Sequence, residues 1–93
     1  MRMINYTNKF KQDFKRNKKS GHHKTLDQDF LLIVRLLASD QPLAEKHRDH
    51  ALTNNWKDHR DCHVKPDLVL IYRKVDFDIL ELVRLGSHSE LGI

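Results

Sequence analysis

Residues 68–72 read Leu-Val-Leu-Ile-Tyr, the most apolar run in a chain whose residues are 32% charged. Five residues are too few for a buried helix, and turn chemistry bounds the run at Lys65-Pro66-Asp67 and at Asp76-Phe77. Apolar side chains on both parities mark a central strand covered on both faces. The remaining chain must supply neighbours at its edges and layers above and below it.

The neighbours are legible. Residues 78–85, DILELVRL, read as a second strand, and Trp56 to Val64 as a more polar one. Met3 to Tyr6 alternates and reads as a short first strand. Thr7 or Asn8 can cap a helix in which Phe10 and Phe14 share one face, ending at Ser20-Gly21. A second helix follows from Leu26, Phe30, Ile33, Val34 and Leu37, which recur at helical spacing. Pro42 sets its end near Ser39-Asp40. The expected fold is α+β: one domain over residues 1–93, a helical hairpin packed on a mainly antiparallel, curved sheet in the order β-α-α-β-β-β.

Charge is distributed unevenly. Residues 1–24 carry eight basic residues against Asp13 alone, a net +7, whereas residues 25–93 carry nine against twelve acids, a net −3. Such a basic quarter fits an anionic partner, nucleic acid above all, and equally a solvated helix face. No stretch approaches the roughly 18–20 apolar residues of a membrane span. Residues 1–20 have no apolar core of a secretory signal, and a lone Cys62 excludes an internal disulfide and fits a reducing cytoplasm.

Of the seven histidines, three fall between His50 and Asp67. His59 and His63 are four apart, about 13 Å along a strand, so they do not form a metal pair, and no metal or cofactor is expected. His22-His23 lies at a turn, suited to phosphate contact. His50, His63 and His88 stand near element ends beside Asp49, Asp61, Ser87 and Ser89, and Arg84 precedes His88 by four. Imidazoles that exchange a proton near neutral pH, with a fixed cation, are what phosphodiester cleavage needs. Each is also an ordinary surface residue taken singly. No Gly-rich phosphate loop exists, and Cys62, mid-strand, reads as a small core residue.

Taken in combination, several motifs carry a family likeness. They are Gln41-Pro42-Leu43, Asp49-His50-Ala51-Leu52, Trp56, Arg60-Asp61-Cys62-His63-Val64-Lys65-Pro66-Asp67, Leu70-Ile71-Tyr72 and Arg84-Leu85-Gly86-Ser87-His88. Over essentially its whole length the chain resembles the RelE superfamily of bacterial toxins, most closely the YafQ-type branch. The resemblance implies an endoribonuclease that cleaves messenger RNA in the ribosomal A site, held inactive by a cognate antitoxin and monomeric when free.

It also implies functional positions at His50, His63, Asp67, Arg84 and His88. One of His50 and His63 would be the base, His88 the acid, Arg84 the cation on the phosphorane, and Asp67 the partner of a histidine. Lys9, Lys11, Lys15, Arg16, Lys18 and Lys19 would lean on ribosomal RNA. Two positions depart from the branch: Leu68 stands where Trp is frequent, and Gly92 where an aromatic follows the last histidine. That second loss keeps open a non-catalytic RNA- or ribosome-binding module of the same fold. A DNA-binding regulator has no helix-turn-helix spacing to support it.

Overall fold

Leu68–Val75 is indeed a central strand, with neighbours on both sides, in the computed structural model, which describes residues 1–20 and 25–93. The elements run β1 (Met3–Tyr6), α1 (Asn8–Lys19), α2 (Leu26–Ala38), β2 (His50–Ala51), β3 (Arg60–Lys65), β4 (Leu68–Val75), β5 (Ile79–Gly86) and α3 (His88–Leu91), with 3₁₀ turns at Glu45–His47 and Asn54–Trp56. The sheet order is β1-β5-β4-β3-β2. Every neighbouring pair is antiparallel except β1 with β5. This is the expected α+β fold.

The alternation along each strand divides two apolar layers. Cys62, Val64, Leu68, Leu70, Tyr72, Leu80, Leu82 and Leu85 face the helical hairpin, where Phe10, Leu26, Ile33, Val34 and Leu37 complete the main core. Val69 and Ile71 face the other way and are covered by Leu91, with Leu52, Trp56, Val83 and Ile93 around them. A helix of four residues and a 3₁₀ turn thus do on one face what two long helices do on the other.

Of the two expected caps of α1, Thr7 serves and Asn8 is the first helical residue. Thr7 Oγ1 accepts the Phe10 N–H at 3.0 Å and donates to the Val83 carbonyl at 2.7 Å, so the cap also ties the helix to β5. Phe10, Phe14 and Phe30 stack between the helices, with centroids 5.0–5.9 Å apart. At the end of α2, Asp40 takes the left-handed conformation (φ 57°) and the Gln41 N–H returns to the Leu36 carbonyl at 2.8 Å. The stop is made by Asp40 before Pro42 is reached. The readings on Gly21 and on His22-His23 lie outside the described residues.

Three sequence expectations shift. The polar strand begins at Arg60, not Trp56, because Asn54–Trp56 coils into a 3₁₀ turn and Asp58 is left-handed (φ 68°). β2 is two residues long, too short for any periodicity to announce it. And α3 follows β5 directly, set by a capping box. Ser87 Oγ accepts the Glu90 N–H at 3.2 Å, and the Ser87 N–H donates to Glu90 Oε1 at 3.0 Å.

Candidate active site

The strand register brings three of the five expected residues together. His50 on β2 is directly opposite Asp61 on β3, which is opposite Ile71 on β4. His63 is opposite Val69, and Val69 opposite Gly86 on β5. Directly after Gly86 the chain turns through the Ser87 cap, and Leu91 anchors α3 on Val69 and Ile71. That reversal swings His88 back over the sheet, placing its ring 5.0 Å from that of His63, at 58°.

Beneath these rings sits Asp61, 1% exposed. Burial pushes its carboxyl above the ordinary carboxylate range; the positive ends of His50, His63 and His88 oppose that rise and Asp49 adds to it. His50 Nδ1 is 2.9 Å from Asp61 Oδ1 and 2.7 Å from the Arg48 carbonyl. A carbonyl oxygen only accepts, so Nδ1 carries the hydrogen and directs it to Arg48. Asp61 Oδ1 therefore has charge contact with His50 but no hydrogen bond among the described residues. The turn before His50 is fixed by Asp49, which accepts from Tyr72 Oη and from Arg60 Nε at 3.2 Å.

Arg84, opposite Ile71 and so in the same row of the sheet as Asp61, turns its guanidinium toward α1, and Asp67 lies near the junction of α1 and α3. Beyond Tyr6 the β1 strand leaves the sheet, and Asp13 of α1 takes over that edge of β5. Its Oδ2 accepts the Leu85 N–H at 3.0 Å and Arg84 Nε at 2.7 Å, and its Oδ1 accepts Arg16 Nη2 at 3.1 Å. Burial raises the Asp13 carboxyl, and the hydrogen bonds from Arg84, Leu85 and Arg16 outweigh it, leaving it below the usual range. Arg16 Nη2 also reaches Glu90 Oε2 at 3.0 Å, so one ionic chain runs from Arg84 through Asp13 and Arg16 to the cap of α3. Asp67 is exposed in the β3–β4 turn, lining a cleft of about 300 Å³ with Arg16, Leu68, Ser87 and Glu90. No hydrogen bond or ion pair joins it to a histidine among the described residues.

Beside His63 a second cleft of about 300 Å³ is lined by Lys46, His47 and Lys65, and His47 Nδ1 donates to the His63 carbonyl at 2.7 Å. On α1, Lys9, Lys11, Lys15 and Lys19 are exposed, whereas Arg16 is held by Asp13 and Glu90 and Lys18 pairs with Asp27 at 3.2 Å. Cys62 is fully buried with its thiol pushed up by burial, which suits a core residue and no nucleophile. Among the described residues, no group of three or more His, Cys, Asp or Glu side chains is arranged to hold a metal ion. None of their helices is long and apolar enough to cross a membrane.

The family model described as bacterial toxin of type II toxin-antitoxin system, YafQ, matches residues 2–92. The chain belongs to the YafQ family. It is 37% identical to the mRNA interferase toxin YafQ of Escherichia coli (strain B / BL21-DE3), over 97% of this chain and 95% of the relative. The crystal structure of metal-bound toxin from Helicobacter pylori is similar at 47% identity and a TM-score of 0.85, covering 98% and 99% of the two chains. So is a chain of the E. coli DinJ-YafQ toxin-antitoxin complex, at 35% identity and a TM-score of 0.82, covering 97% and 96%.

The sequence reading named Asp61 only as a polar neighbour of the histidines and gave Asp13 no role. Asp61 stands two residues before His63 on one strand, and that period alone puts both on one face. Asp13 falls at i+3 from Phe10 and next to Phe14, on the apolar stripe of α1, where an acid needs a partner.

Proposed function

We propose that this YafQ-family toxin is an mRNA interferase, an endoribonuclease acting in the cytoplasm on message held in the ribosomal A site and silenced by a cognate antitoxin. The observation that carries this reading is the approach of the His63 and His88 rings to 5.0 Å, with His50 beside them over a buried carboxylate. Two imidazoles on one open face can serve the two ends of a phosphodiester. Support also comes from a relative named an mRNA interferase and from another solved in complex with its antitoxin.

In the reaction, His50 or His63 takes the proton of a ribose 2′-OH as its oxygen bonds to the adjacent phosphorus. His88 gives a proton to the departing 5′ oxygen as the P–O5′ bond breaks, leaving a 2′,3′-cyclic phosphate and a 5′-OH. Arg84 offers Nη1, the guanidinium nitrogen not engaged by Asp13, to the charge that builds on phosphorus. Asp67, exposed at the neighbouring turn, orients the substrate side of the cleft it lines. The exposed lysines of α1 supply sequence-independent attraction to ribosomal RNA.

A message with a deoxyribose at the scissile position tests the route. It should stay intact on the ribosome; its cleavage would exclude 2′-OH attack. Expression of the chain alone should arrest growth and His88→Ala should release the arrest. Growth arrest that survives His88→Ala would favour a non-catalytic ribosome-binding module, a reading for which Gly92, with open space where a side chain would start, is the supporting feature.

A further inference from the structure

One buried carboxylate on the open face of the sheet lacks the donor it calls for. Asp61 Oδ1 is enclosed and accepts no hydrogen bond among the described residues, an arrangement that disfavours the folded state. The groups facing it come from every element around it: His50 from β2, His63 from its own strand, His88 from α3, and Asp49 from the turn before β2. Three imidazoles that can become cationic surround one acid.

The His50 ring is held on a single side. Nδ1–H is directed to the Arg48 carbonyl at 2.7 Å, which leaves Nε2 as the nitrogen with a free electron pair. No hydrogen bond comparably fixes the His63 ring among the described residues, since His47 engages only its backbone carbonyl. When Nε2 of His50 accepts a proton, the imidazolium that forms has Nδ1 only 2.9 Å from Asp61 Oδ1. The charge pair comes into being with the proton transfer and is absent before it, so it favours the transition state over the ground state.

We propose that Asp61 is a positioning residue for RNA cleavage, its carboxylate selecting His50 as the base by stabilising the imidazolium formed at Nε2. The assignment rests on the reading that the histidine cluster carries the reaction, and it deepens that reading by choosing between His50 and His63.

The test is single-turnover cleavage of ribosome-bound message against pH by the wild type, Asp61→Asn, His50→Ala, His63→Ala and His88→Ala. Asp61→Asn should slow cleavage about 10–100-fold. Its acidic limb should move to lower pH, because an imidazole without a neighbouring carboxylate gives up its proton more readily, and its melting temperature should not fall. A lower melting temperature with an unmoved pH limb would make Asp61 merely structural and overturn the proposal. Nitrogen-15 spectra of the wild-type rings give a check that needs no variant: His50 should be the Nδ1–H tautomer, and an Nε2–H tautomer would refute the assignment. Slow His63→Ala and His88→Ala with an unmoved Asp61→Asn limb would sink the Asp61 inference alone. Wild-type rates in all the histidine variants would remove the catalytic reading and this inference with it.

Discussion

Arg84 Nε donates to Asp13 Oδ2 at 2.7 Å, joining the last strand to the first helix across 71 residues of sequence. The pair is unequal, with the Asp13 side chain 3% exposed and that of Arg84 22%. Each needs the other for a different reason: Asp13 to remain charged where it is buried, Arg84 to hold its guanidinium in a fixed plane.

Asp13→Ala leaves Arg84 without its counter-charge and the Leu85 N–H without its acceptor. Losing one partner of such a pair should lower stability by about 3 kcal/mol, read as a shift of the urea midpoint at neutral pH. The pH dependence has a definite sign. The folded carboxyl lies below its ordinary value, so its stabilisation is fully present above the unfolded value of about 3.9 and fades as pH falls through the folded value. Wild type should therefore weaken in acid below pH ~4, and Asp13→Asn should show less of that loss. Parallel acid profiles for the two would refute the role.

Asp61 carries the opposite sign. Burial holds its folded carboxyl above the ordinary range, so folding costs stability as pH rises from the unfolded value through the folded one. Asp61→Asn should accordingly be as stable as the wild type at neutral pH, or more so, while it slows cleavage. Melting scans at pH 7 read this; a clear drop in midpoint would show that the charge supports the fold rather than burdening it.

His88 is exposed and none of its ring atoms makes a hydrogen bond among the described residues, so the fold does not depend on its side chain. His88→Ala should lower single-turnover cleavage about 10²–10⁴-fold with an unchanged urea midpoint. Wild-type cleavage by this variant would remove His88 from the mechanism.

The lysines of α1 divide into free and engaged. Lys11→Ala with Lys15→Ala removes two charges that have no ion-pair partner among the described residues and should flatten the dependence of log affinity on log salt by about 2 in ribosome binding. Arg16→Ala should behave differently, because Arg16 bridges Asp13 and Glu90. It should lower stability and loosen α3 as well as weaken binding. A salt slope that the two lysine substitutions leave untouched would separate α1 from ribosomal RNA.

What the sequence determined by itself was local and periodic. The five apolar residues at 68–72 required a covered central strand, Thr7 and the Phe10–Phe14 stripe required a capped amphipathic helix, and the motifs around His50, His63 and His88 named the family. What tertiary structure decided was which residues face one another. Two residues of β2 pair with β3 only because the rest of the sheet is there to receive them, and no sequence period announces a pair that short. The register sets His50 over Asp61, and the reversal at Ser87 returns His88 to His63. Asp13 and Arg84 meet because β1 leaves the edge of β5 open to α1. Side-chain spacing within one element is fixed by 3.6- and 2-residue periods, whereas contact between elements depends on how the whole chain closes. The opening strand and the shared face of Asp61 and His63 were therefore legible before the fold was known; the burial of Asp61 against His50 was not.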